Sequence, residues 1–129
     1  MVDVPKKIFV VDDDQDLRDI LKAALEKFGY EVNVAADGYQ ALKAIDTNPP
    51  DLIIIDLTMP TMTGWKLSMK LRQDERFKKT PIIVLSGLLA GDDEPDQKFD
   101  LVNAYMVKPF DVFKLLDKVK SLLNETPAK

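Results

Sequence analysis

The stretch Pro50-Asp51-Leu52-Ile53-Ile54-Ile55-Asp56-Leu57-Thr58-Met59-Pro60 sets four consecutive branched aliphatic side chains, Leu52 to Ile55, directly ahead of a carboxylate. A strand covered on one face alternates apolar and polar residues. This run does not alternate, so it needs cover on both faces, as in a buried parallel sheet. Ile8 to Val11, Ile82 to Leu85 and the weaker run Ala104 to Val107 have the same character. Glu31 to Ala35 alternates Val32 and Val34 with polar or small residues, which suits an edge strand.

Between these runs the apolar spacing becomes helical. Leu17, Ile20, Leu21, Ala24, Leu25 and Phe28 form one stripe closed by Gly29 as a C-terminal cap. Asp37 with Gln40 resembles a capping box, and Ala41, Leu42 and Ile45 carry that helix to Pro49 and Pro50. Gly64 to about Phe77 is patterned as a helix through Leu67 and Leu71, and a last helix after Asp111 buries Leu115, Leu116, Val119, Leu122 and Leu123. Asp92 to Val102 carries the weakest pattern, since Pro95 fits a helix only in its first turn. Five alternations of strand and helix predict an α/β fold, a doubly wound five-stranded parallel sheet with helices on both faces.

Composition narrows the chemistry. The 129 residues, 46% hydrophobic, amount to one domain burying roughly two-thirds of its unfolded surface. With no Cys and no His, thiol nucleophiles, thiolate or imidazole metal sites, Ser-His-Asp triads and any phosphohistidine within the chain are excluded. Eighteen basic against 22 acidic side chains, net −4, is the wrong sign for a phosphate-backbone binder, so direct nucleic-acid contact is not expected. The N-terminus has no secretory pattern and no apolar run approaches the roughly 18 residues of a membrane span, which makes the cytoplasm the expected location.

In such sheets ligands bind beyond the carboxyl ends of the strands. The residues following the runs are Asp12 and Asp13, Asp56, Ser86 and Lys108. Each has an ordinary explanation alone: a solvated N-cap cluster, a turn cap, a backbone-bonded hydroxyl, a surface charge. Their common place at one edge points to a single cause. Three carboxylates within a few ångströms repel by several kcal/mol, so some are protonated or a cation binds. Asp12, Asp13 and Asp56 are balanced by a divalent cation together with Lys108, and few hard oxygen ligands favour Mg2+ over Zn2+ or a caged Ca2+. Asp56 is then placed to attack a phosphoryl group and become an acyl phosphate, with Lys108 and Ser86 beside the transferred oxygens.

The motifs Phe9 to Asp14, Pro50 to Pro60, Pro81 to Gly87 and Val107-Lys108-Pro109-Phe110 resemble, in order and spacing, those of the response-regulator receiver domain over about Lys7 to Leu123. The resemblance implies a flavodoxin-like three-layer sandwich of strand order 2-1-3-4-5. It implies that Asp56 accepts a phosphoryl group from a phosphohistidine on a sensor histidine kinase or histidine phosphotransfer protein. It further implies Mg2+ held by Asp13, Asp56 and the Thr58 carbonyl, with Asp12 acting largely through water. Ser86 and Lys108 would hold phosphoryl oxygens, the Lys108-Pro109 bond would be cis, and Tyr105 would swing inward as Ser86 moves, switching a surface for an unidentified downstream protein.

Some positions depart from the family pattern. Thr61 and Thr63 stand where Gly and Asp are usual after the acceptor, which suggests a stiffer turn. Leu101-Val102 replaces a Gly-Ala pair ahead of Tyr105, Pro95 falls in the expected fourth helix, and Thr58 and Leu88 occupy positions that tune acyl-phosphate hydrolysis. The competing reading is a Mg2+-dependent aspartyl-nucleophile phosphatase resembling the haloacid dehalogenase group. Such enzymes carry a second Asp two residues after the nucleophile, where this chain has Thr58, so sustained phosphoester turnover is not expected. A flavin module of similar topology is disfavoured by the acidic first turn. The domain expectation is one receiver over 1–129, with its core at about 6–124 and a frayed tail or linker stub at 125–129, either free-standing or excised from a longer chain.

Overall fold

The computed structural model describes residues 4–59, 61–87 and 101–123. The elements are β1 (Lys7–Val11), α1 (Gln15–Lys27), β2 (Glu31–Ala35), α2 (Gly38–Thr47), β3 (Leu52–Asp56), α3 (Gly64–Arg72), a 3-10 turn (Glu75–Phe77), β4 (Ile82–Ser86), β5 (Ala104–Val107) and α4 (Val112–Leu122). All strand pairs are parallel, in the order β2-β1-β3-β4-β5. The doubly wound sheet is the expected one.

Alternate residues of each strand divide between two cores, which is why the runs are apolar throughout. Phe9, Val11, Ile53, Ile55, Ile82 and Val84 join the side chains of α2 and α3 on one face. Ile8, Val10, Leu52, Ile54, Ile83 and Leu85 join those of α1 and α4 on the other. Each buried Leu, Ile or Val contributes about 1.5–3 kcal/mol relative to exposure, so the central strands anchor the fold.

Side-chain caps start every α-helix among the described residues. The carboxylate of Asp14 accepts the Asp16 and Leu17 amides, Asp37 accepts Gln40, Thr63 accepts Lys66 and Asp111 accepts Phe113. Gly29, at φ +95°, closes α1 in the left-handed region, where a Cβ is costly.

Four details differ from the sequence expectation. The helix predicted to reach Phe77 ends at Arg72, because Asp74 caps a separate 3-10 turn by accepting the Arg76 amide at 3.0 Å. Within α1, Leu21 and Leu25 are buried, whereas Ile20 is 54% and Phe28 44% exposed. Ile20 lies one residue round from the Leu17–Leu21–Leu25 line, and Phe28 falls past the helix end, where the Lys120 ammonium sits 5.5 Å from its ring centroid. Leu122 and Leu123 are half-buried. Strand β5 is half-buried along its length, since it lies at the sheet edge beside β4 alone. The expectations for Leu88, for Asp92 to residue 100 and for the 125–129 tail lie outside the described residues. Among the described residues no helix is long and apolar enough to cross a membrane.

Candidate functional site

Strand register assembles the site. Val11 pairs with Ile55, Asp56 with Leu85 and Ser86 with Val107. Backbone bonds extend the ladders beyond the strands: the Asp12 amide donates to the Ala35 carbonyl (3.1 Å), Leu57 to Leu85 (2.7 Å) and Lys108 to Ser86 (2.6 Å). Asp12, Asp56, Ser86 and Lys108 are thereby carried to one edge of the sheet.

One carboxylate oxygen from each of Asp12, Asp13 and Asp56 lies within 4.8 Å of the others. Asp12 is fully buried, Asp56 is 3% exposed, and Asp13 stands in solvent at the rim. The Lys108 ammonium bridges the two buried acids, 3.2 Å from Asp12 Oδ2 and 3.3 Å from Asp56 Oδ1. Every polar group of Asp12 is engaged, for Oδ1 accepts the Asp14 amide at 2.9 Å and its carbonyl accepts Arg18 Nη1 at 2.7 Å. Asp56 Oδ1 also accepts the Thr58 amide at 3.4 Å.

The electrostatics follow from that crowding. Burial first, and then the charge of Asp12, push the Asp56 carboxyl up to about 6, against the lowering pull of Lys108 and the Thr58 amide. Burial works against the charge of Lys108, but Asp12 and Asp56 outweigh it and hold the ammonium above the ordinary lysine range. Three acids facing one ammonium leave an excess of negative charge, and the three oxygens form a hard, open-sided donor set that fits Mg2+.

Ser86 is fully buried at the end of β4. Tyr105, half-buried on β5, lies opposite Val84 and packs against the core on the α2–α3 face. Thr58 is exposed at the rim, and the Lys108-Pro109 bond is cis. Thr63 retains a capping function where Asp is usual. Thr61 takes φ +67°, a left-handed conformation unfavourable for a β-branched residue.

Three contributors escaped the sequence reading. Arg18 holds the Asp12 main chain through its carbonyl, and its signal was a base one helical turn beyond the Asp14 cap. Gly64 was legible only as a helix start, although α3 begins in contact with the peptide that follows Asp56. Ser68, fully buried, donates its hydroxyl to the Gly64 carbonyl at 2.8 Å, a contact that polar spacing does not announce.

A doubly wound sheet with an acidic cluster and a lysine at its carboxyl edge defines a class. The chain belongs to the response regulator receiver domain family, whose sequence model matches residues 8–120. It is a receiver domain of two-component signalling, a family whose members take phosphoryl groups from histidine kinases. Among curated relatives, the DNA-binding dual master transcriptional regulator RpaA of Synechocystis is 36% identical over 121 residues, covering 93% of this chain and 50% of that protein. The chain spans about half the length of the curated relatives it first matches. Among solved structures, the chemotaxis protein CheY4 of Vibrio cholerae superposes with a TM-score of 0.85 at 31% identity, covering 92% of this chain and 99% of that one. The response regulator TrrA of Thermotoga maritima, solved in complex with Mg(2+)-BeF, matches at TM-score 0.81 and 34% identity, covering 91% and 98%.

Proposed function

We propose that Asp56 is the phosphoacceptor, receiving its phosphoryl group from a phosphohistidine on a sensor histidine kinase or phosphotransfer protein. The observation that carries this reading is a nearly buried carboxylate, bridged by Lys108 to Asp12, with Asp13 open at the rim. A carboxylate oxygen of Asp56 forms the new O–P bond as the donor's N–P bond breaks, and the departing imidazole keeps the electron pair and takes up a proton. Lys108 follows the transferred oxygens and disperses their charge, and Ser86 supplies a hydroxyl from the neighbouring strand end.

Asp13, Asp56 and the Thr58 carbonyl would hold Mg2+, with Asp12 acting through water because both of its oxygens already accept bonds. The ion would supply positive charge against the phosphoryl oxygens. Phosphorylation adds charge and acceptor oxygens beside Ser86, and Tyr105 on the adjacent strand reports the change to a surface that binds a downstream protein. The chain acts in the cytoplasm as one domain over 1–129, and its own surface makes no direct nucleic-acid contact. Any DNA binding by a longer protein would belong to other segments. Thr58, standing where an aspartyl phosphatase needs its second acid, supports self-modification over turnover of phosphoesters.

Intact-mass measurement after incubation with Mg2+ and a small phosphodonor tests the reading. One metal-dependent phosphoryl adduct is expected in the native protein and none in Asp56→Asn. An adduct that persists in the variant would refute the assignment, and steady phosphate release from many esters would favour the phosphatase.

A further inference from the structure

Gly64 opens α3 eight residues beyond Asp56, and its position is set by backbone contact. A Cβ built there would lie 2.6 Å from the Asp56 carbonyl oxygen, 2.8 Å from Leu57 Cα and 3.0 Å from Ile55 Cγ2. The two shorter distances are to main-chain atoms, which cannot yield by changing rotamer. Gly38 differs, because its Cβ would meet chiefly the flexible thioether of Met62. The α3 start is also bonded to the same peptide, with the Gly64 amide donating to the Leu57 carbonyl at 2.9 Å. Ser68 orients that first turn through its 2.8 Å bond to the Gly64 carbonyl.

The peptide after Asp56 has backing on one side only from the sheet. Its β4 neighbour is fixed through the Leu57–Leu85 bond, whereas the β1–β3 register ends at Val11–Ile55. Helix α3 cannot retreat to make room, since Trp65, Leu67 and Leu71 are all buried in the core beneath it. A side chain at position 64 must therefore displace the main chain that carries the Asp56 carboxylate. We propose that Gly64 is a positioning residue for phosphoryl transfer: its bare Cα is the seat that aims Asp56 at the incoming phosphorus and at the Asp12–Asp13 pair. The inference rests on Asp56 being the phosphoacceptor. Misplacement of a reacting group by a fraction of an ångström to 1 Å costs up to about a hundredfold in rate.

The test compares Gly64→Ala with Gly29→Ala. Gly29 has open space around its Cβ and a φ of +95°, so alanine there strains the chain far from the acids. At a temperature where circular dichroism shows both variants fully folded, phosphorylation by saturating acetyl phosphate should be at least tenfold slower in Gly64→Ala and unchanged in Gly29→Ala. Calorimetric Mg2+ affinity should fall in the same variant alone. Should Gly64→Ala not fold, Ser68→Ala replaces it and should slow phosphorylation two- to fivefold. A Gly64→Ala protein that is folded and phosphorylates at the native rate overturns the seat, as does an unchanged rate in Ser68→Ala when that variant stands in. A native protein that takes up no phosphoryl group overturns the Asp56 assignment and the seat together.

Discussion

At the residue scale, the side chains gathered at the sheet edge were legible because each follows an apolar run, so their common edge needed only strand direction. Their burial was not legible, and it governs their protonation. Asp56 is raised from 3.8 to about 6, chiefly by desolvation. Between about pH 4 and pH 6 the native state keeps a proton that the unfolded chain has shed. This contribution to stability is fully present below about pH 4 and lost as pH rises through 6. In metal-free buffer with chelator, Asp56→Asn lacks that slope. Its stability advantage over the native protein should grow across the window and reach roughly 2–3 kcal/mol at pH 7, at about 1.4 kcal/mol per unit. Urea unfolding of both proteins from pH 4 to pH 7 measures the difference, and a pH-independent difference would refute the buried-carboxylate account. Gly64 and Arg18 stayed hidden because they act on main-chain atoms, those of Leu57 and Asp12, and residue type and spacing do not announce such contacts.

At the element scale, strands and helix starts followed from periodicity and caps, whereas the end of α3 did not. Leu67 and Leu71 continue a helical pattern towards Phe77, but Asp74 caps a separate turn, and Arg72 then ties the end of α3 to segments beyond it. The Arg72 guanidinium donates to the carbonyls of Phe77 and Thr80, each at 2.7 Å, to Leu101 at 2.8 Å and to Asn103 Oδ1 at 3.0 Å. Asn103 Oδ1 in turn accepts the Ile82 amide at 2.9 Å. One side chain thus joins the end of α3 to the approaches of β4 and β5. Arg72→Met should cost about 2–4 kcal/mol, because part-buried carbonyls lose charge-assisted donors together. Arg72→Lys should recover only a fraction, since an ammonium cannot reach the same set of acceptors. The urea midpoint should fall at unchanged slope. Phosphorylation at Asp56, at the opposite end of the strands, should keep its native rate while the protein is folded. A rate that falls in step with stability would show that the clamp and the site are one unit.

At the scale of the whole molecule, doubly wound layering followed from the residues, but the strand order came from resemblance, because apolar runs state burial and not adjacency. The charge balance holds as read, with three acids facing the Lys108 ammonium. The remaining negative charge couples the proposed cation to the stability of the entire fold. An ion that binds the native cluster and not the unfolded chain stabilises by RT ln(1 + [L]/Kd), about 2.7 kcal/mol at a hundredfold excess over Kd. For a domain of this size that corresponds to a rise of roughly ten degrees in Tm. The increment should be largest above pH 6, where Asp56 is ionised, and should shrink as protons compete below it. Differential scanning calorimetry with Mg2+ against chelator should show the rise in native protein, a reduced one in Asp13→Asn and almost none in the Asp13→Asn, Asp56→Asn pair. An equal rise in all three would place the ion elsewhere on the surface and remove the acid trio as its site.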